Sequence, residues 1–260
     1  MKRFAIDIRR YWKYIKYAAK ADLETEVTNA YLEWFWWILE PVCNMLIYYF
    51  IFGVVFHNQE QYYLVFIYSA ITMWTFFNKV VTTSVQLVKH SKSIVSRVYV
   101  PKPILLIQKM GVNVFKMIIS CGIVIVLMIP YRISVDYHLF LLIPVFITFF
   151  IFTYGCACFL MHFGVYVEDL SYIVNIVLRM VFYFTGVFYS VSQKFPKPIG
   201  MIAEKVNPLA FLIASMRNAL MYKTDTDCRA LMFWFVFSCM LAVGGTRLVY
   251  KNENNYVKVI

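Results

Sequence analysis

Charged side chains are scarce in this chain: Asp, Glu, Lys and Arg make up 15% of its 260 residues, where a soluble domain carries about 25%. That shortage argues against a water-soluble globule. The six cysteines form no C-x-x-C pair, so neither a zinc site nor a thioredoxin-like motif is indicated. Cys43, Cys121, Cys156, Cys158 and Cys239 fall inside apolar runs, where a thiol behaves as a small hydrophobe. No G-x-x-x-x-G-K-[ST] phosphate loop occurs, so the chain cannot bind ATP in that way. The four histidines (His57, His90, His138 and His162) are scattered, and Glu168–Asp169 is the only adjacent acidic pair. Neighbouring residues do not share a helix face. These absences count against a membrane-embedded enzyme that holds a metal and a diphosphate.

What is present is apolar. The hydrophobic share is 62%, the aromatic share 19% and the mean hydropathy +0.66. Six runs are long enough to cross a hydrocarbon core, which takes about 20 helical residues: 34–56, 63–87, 104–129, 139–161, 172–189 and 230–250. They are continuous rather than alternating, which reads as helix. The expectation is an all-α membrane protein of six transmembrane helices forming one membrane domain, residues 1–260. Its parts are an arm over 1–33, spans one to five within 34–189, a long connection over 190–229, a sixth span over 230–250 and a tail over 251–260. The arm is too charged to read as a cleavable leader.

Basic residues orient the chain. The arm holds seven Lys/Arg, the connection Val88–Pro103 four and the tail from Arg247 three. The opposite connections hold one (Arg132) and, in the long Ser190–Arg229 segment, six. The excess predicts that both termini are cytoplasmic. Within the arm, Phe4, Ile8, Tyr11, Trp12, Ile15 and Ala19 recur every three or four residues, with Arg9, Arg10, Lys13, Lys16 and Lys20 on the other flank. That is a basic amphipathic helix, expected to lie in the headgroup layer of an anionic leaflet. Its aromatic face favours membrane lipids over nucleic acid. Trp34, Trp36 and Trp37 at the start of the first run read as an interfacial belt.

One excursion interrupts the apolar pattern: "HSKSIVSRVYVPKPILLI", His90–Ile107. Ile94, Val95 and Val98 make a small apolar face, with Ser93, Ser96 and Arg97 turned from it. Pro101 and Pro103 then end that helix and open the next, where a missing N–H costs nothing. Physics alone leaves two readings: a docking surface, or a solvated turn whose cations fix topology.

Four segments, in order, resemble ABC-transporter permeases that export polysaccharides, the group of O-antigen, capsule and wall-teichoic-acid exporters. They are the Trp-rich start and Leu-Glu-Pro of "WFWWILEPVCNMLIYYFIFGVVF" (Trp34–Phe56), the basic "SIVSRVYVPKPILLI" (Ser93–Ile107), "YVEDLSYIVNIVLRMVFYFTGVFYS" (Tyr166–Ser190) and the Asn-Pro-led "NPLAFLIASMRNALMY" (Asn207–Tyr222). The resemblance implies a half-transporter, two copies of which join two copies of a separate ATPase subunit. ATP and Mg would bind in that partner, leaving no cofactor, metal or catalytic residue in this chain. It also implies that Ser91, Lys92, Ile94, Val95, Arg97, Val98 and Tyr99 form a coupling helix for the ATPase. Residues 190–222 would hold a pair of short re-entrant helices, with a break at Phe195-Pro-Lys-Pro. The chain departs from the family in its acidic "DLETEVTNAYLE" (Asp22–Glu33) and in Glu168–Asp169, where Arg-Asp is common.

A passenger would meet the polar groups inside the spans. Lys109, Asn113, Lys116 and Ser120 form one stripe, Asn175 and Arg179 stand four apart, as do Glu40 and Asn44, and Lys79 lies in the inner half of its span. Each intramembrane charge costs about 2.5–3.5 kcal/mol on insertion scales and faces protein or water. Four cations against Glu40 would suit a phosphate-bearing, lipid-linked glycan; the plainer reading is internal pairing, Glu40 with Arg179 or Lys109. Tyr48, Tyr49, Phe52, Phe182, Tyr183, Phe184 and Phe188 lie on the two spans that line the pathway in the resembled family, where sugar rings can slide on aromatic faces. The expected pathway set is Glu40, Tyr48, Tyr49, Phe52, Lys116, Arg179, Tyr183, Phe184 and Phe188. Small drugs or lipids are the alternative cargo.

Overall fold

Long apolar runs bounded by Pro, Asn and Asp dictate where the helices start. A computed structural model describes residues 2–28, 33–57, 60–92, 98–133, 136–191, 196 and 199–259, and among these no strand occurs. The helices are α1 (Lys2–Val27), α2 (Trp36–Tyr48, continued by a π-helical stretch Tyr49–Val55), α3 (Tyr63–His90), α4 (Lys102–Met128) and α5 (Leu142–Tyr166). They are followed by α6 (Leu170–Phe184), α7 (Ile199–Val206), α8 (Pro208–Arg217, continued by a π-helical turn Asn218–Tyr222) and α9 (Cys228–Val259). Pro101 and Pro103 open α4, and Ile104 N–H bonds back to the Pro101 carbonyl at 2.9 Å. The Asn207 side chain caps α8 by accepting from Leu209 N–H (3.1 Å) and Ala210 N–H (3.4 Å). Asp227 does the same for α9 at Arg229 N–H (3.1 Å) and Ala230 N–H (3.3 Å). These are the cap residues that free helix N–H groups favour.

Among the described residues five helices are long and apolar enough to cross a membrane: α2 with its continuation, α3, α4, α5 with the 3-10 turn before it, and α9. The protein is a multi-pass, all-α membrane protein. The fifth apolar run, read in the sequence as 172–189, is helical only over Leu170–Phe184, about 22 Å. Gly186, at φ 72°, is the left-handed position that ends it. Val187 and Phe188 then turn back into the core, where both are buried. The helices α7 and α8, the latter with its continuation, form a bent pair at 103°. The bend lies at Asn207–Pro208; of the expected break at Phe195-Pro-Lys-Pro only Pro196 is among the described residues.

The centre of the bundle is α3, whose Val65, Ile67, Tyr68, Ala70 and Met73 have no solvent contact. It packs on α2, α4, α5, α6 and α8, while α9 runs along α5 and α1 crosses α4. Helices in lipid associate through close packing at small residues. Gly164 of α5 is such a point: a Cβ there would collide with the Val85 carbonyl oxygen of α3. Gly164→Leu is therefore expected to force α3 and α5 apart and cost about 1–3 kcal/mol or more. Melting of the purified protein in detergent checks this, and an unchanged midpoint would contradict the packing.

Candidate functional site

Three clusters arise where the helices meet. The first is a belt of ion pairs near the end of the bundle that holds both termini. Lys109 of α4 bonds Asp22 of α1 at 2.6 Å, and Gln108 donates to the same carboxylate at 2.8 Å. Two turns on, Lys116 pairs with Glu26, and its ammonium lies 5.5 Å from the Trp37 ring. Lys79 stands 3.8 Å from Glu40. Glu40 thus pairs with Lys79, not with Arg179 or Lys109 as the sequence led one to expect. Two further carboxylates reach the belt because α1 crosses α4, putting the acidic stretch after Ala21 against the α4 cations. Trp37, Glu40, Lys79, Asn113, Lys116 and Ser120 line part of a small cavity of about 70 Å³ between α2, α3 and α4. Three of the four cations expected inside the spans therefore have a carboxylate. Arg179 has none among the described residues, and with Asn175 it stands exposed on α6.

The second cluster is aromatic and joins α2 to α6. The Phe52 and Phe188 rings stack with centroids 4.3 Å apart and 9° between planes. Tyr48 lies 4.6 Å from Phe188, Phe182 5.0 Å from it, and Trp74 5.1 Å from Phe182. Tyr183 reaches Phe188 at 6.2 Å, and Tyr49 reaches Tyr63 at 6.0 Å. Phe184 stays outside the cluster and projects outward. The π-helical stretch from Tyr49 widens the helix where these rings gather, as π-bulges commonly do at functional positions. Around the rings lies a clamp that the sequence reading did not single out. Arg217, fully buried on α8, donates to the carbonyls of Phe66 (3.1 and 3.2 Å), Gly186 (2.9 Å) and Val187 (2.8 Å). Its guanidinium lies 3.4 Å over the Phe66 ring. Tyr63 adds a hydroxyl bond to the Phe188 carbonyl at 3.0 Å. An arginine in so apolar a segment was the one available signal.

The third cluster flanks the basic excursion. Ser91 is buried, and Lys92, Val98 and Tyr99 are exposed; Ile94, Val95 and Arg97 lie outside the described residues. Arg3 of α1 donates to the Tyr99 hydroxyl at 2.6 Å and to the Glu253 carboxylate of α9. Tyr99 in turn donates to Glu253 at 3.0 Å. The bond to Glu253 holds the Arg3 guanidinium above its ordinary range. Although the Tyr99 ring is exposed, partial desolvation of its hydroxyl, followed by the Glu253 carboxylate, pushes the phenol up. The exit of the excursion is thereby tied to both terminal helices. On α1, Arg9, Arg10, Trp12, Lys13 and Lys16 are exposed, as are Trp34 and Trp36. Trp37 is tucked edge-on against Phe115 at 6.0 Å. Among the described residues no group of three or more His, Cys, Asp or Glu converges.

Residues 18–221 match the family model described as ABC-2 type transporter. Among similar proteins is the O-antigen export system permease protein RfbA of Klebsiella pneumoniae, 22% identical over 240 residues and 92% of each chain. A second Klebsiella pneumoniae protein of that name is 24% identical over 92% of each chain. The Myxococcus xanthus protein of that name is 20% identical over 260 residues and the whole of both chains. With the match spanning most of the sequence and the helical bundle in place, the chain belongs to the ABC-2 type transporter family.

Proposed function

We propose that the chain is the membrane subunit of an ATP-driven exporter that moves a lipid-linked polysaccharide, of O-antigen, capsule or teichoic-acid type, outward across a bacterial inner membrane. The observation that carries this reading is Arg179. It sits on α6, exposed on a face with no carboxylate partner and no covering element among the described residues. A cation in hydrocarbon is costly and faces protein or water, so this face calls for a second copy of the chain and a polar path between them. Tyr183 is exposed on the same helix, and Tyr48, Tyr49 and Phe52 of α2 and its continuation are half-buried. Rings of this kind hold sugars by stacking without fixing them, while the buried Phe188 backs Tyr48 and Phe52. Phosphate of a lipid diphosphate suits Arg179, whose planar fork pairs with phosphate oxygens. The names of the three relatives agree with this cargo.

Both termini are cytoplasmic in this reading, following the basic residues. A separate ATPase subunit, which holds ATP and Mg, docks on residues 91–99. Its closure pulls on Tyr99, and through Arg3 and Glu253 the movement reaches α1 and α9. The chain itself breaks and makes no bonds. Deleting the gene is expected to remove the surface glycan and leave its lipid-linked precursor at the inner face, read by surface labelling and mass spectrometry of extracted lipid. Normal surface glycan in the deletion strain would sink the proposal.

A further inference from the structure

Away from the α2 and α6 face, α1 does not close flat onto the bundle. Between it and α4, α5 and α9 runs a groove of about 880 Å³ whose walls are apolar, with Ile107, Met110 and Val114 on one side and Phe150 on the other. Gly111 leaves a gap in the α4 wall, and a Cβ there would meet nothing within 4 Å. The α1 rim carries Trp12, Lys16 and Lys20, one helical turn apart and so on one row. The Lys16 ammonium lies 5.2 Å from the Trp12 ring. Lys20 lies 3.5 Å from Glu24, both side chains well exposed, a contact worth little and easily exchanged.

We propose that this groove seats one anionic phospholipid, its acyl chains along the α4 and α5 wall and its phosphate between Lys16 and Lys20. Charge complementarity selects the occupant. An apolar trough alone would take any acyl chain, but two ammonium groups at its mouth favour a headgroup with net negative charge. Trp12 marks the depth, since indole rings sit at the headgroup level. The volume falls within the range of sites that enclose a bound small molecule. The lipid then acts as a filler that keeps α1 at its distance from the bundle while Asp22 and Glu26 hold its far end. This seat stands apart from the transport reading and does not depend on it.

The test uses the full-length chain in detergent, titrated with phosphatidylglycerol and with phosphatidylcholine of the same acyl chains, and read by native mass spectrometry. Wild type is expected to bind phosphatidylglycerol in preference to phosphatidylcholine. Each lysine near a net-negative headgroup is worth about fivefold, so Lys16→Gln/Lys20→Gln should weaken phosphatidylglycerol binding roughly 30-fold and weaken phosphatidylcholine, whose choline offsets its phosphate, much less. Gly111→Phe, which grows into open space, should block both lipids. The lysine variant alters only exposed side chains and keeps the test valid should the phenylalanine variant fail to fold. Equal binding of the two lipids by wild type, or unchanged phosphatidylglycerol binding by the lysine variant, would overturn the proposal. Competition by inorganic phosphate as effective as that by the lipid would overturn it too.

Discussion

Arg217→Met is expected to destabilise the protein by about 2–6 kcal/mol, because each buried polar group stripped of its partner costs about 1–3 kcal/mol. The guanidinium serves three carbonyls from two distant segments, at Phe66 and at Gly186 and Val187. Phe66 keeps a second donor in the Ser69 hydroxyl at 3.1 Å, so the loss falls mainly on Gly186 and Val187. Those two carbonyls lie in the turn that folds Phe188 back onto Phe52. Without the clamp the turn is free to open and the aromatic cluster loses its central ring. Lysine offers one ammonium in place of a planar fork, so Arg217→Lys should recover only part of the loss. Melting of the purified protein should move down by roughly 4–24 °C for the methionine variant. Equal midpoints for wild type and Arg217→Met would mean that the clamp holds nothing.

Arg179 answers to a different assay. It makes no ion pair among the described residues and is exposed, so Arg179→Met should leave the melting midpoint close to wild type. Export is where it should fail. A charge-assisted hydrogen bond is worth about 1.5–3 kcal/mol, which corresponds to roughly ten- to hundredfold less surface glycan per unit of protein. Arg179→Lys keeps the charge and should keep part of the export, whereas Arg179→Glu should keep none. Full export by the methionine variant would remove Arg179 from the pathway and leave a structural explanation for its place on α6.

The contrast between these two arginines shows what a sequence can and cannot disclose here. Spans, caps and breaks depend on local chemistry, so Pro101, Pro103, Asn207 and Pro208 mark helix starts that the structure places where they belong. Pairing depends on how helices cross. Asp22 and Glu26 are one turn apart on α1, and Lys109 and Lys116 are two turns apart on α4; the match between the rows exists only because α1 runs across α4. Reading Glu40 as the sole carboxylate therefore overstated the positive charge inside the bundle. The fifth run was overextended for a similar reason. Apolar residues continue through Phe188, but one left-handed glycine turns them from helix into core. Trp74 and Tyr63 joined the aromatic cluster unforeseen, since their span carries no periodic feature that distinguishes a ring facing α2 from one facing α4.

The exporter account stands on an ATPase docking at residues 91–99. The most direct measurement purifies the tagged chain from its own host cells and records any co-purifying ABC ATPase subunit and the ATP turnover it brings. Wild type is compared with Ile94→Asp/Val98→Asp, Val98 being exposed. The account predicts that wild type retains the ATPase and that the double variant loses it while still eluting as a folded membrane protein. Equal retention by both, or no ATPase on wild type, would contradict it.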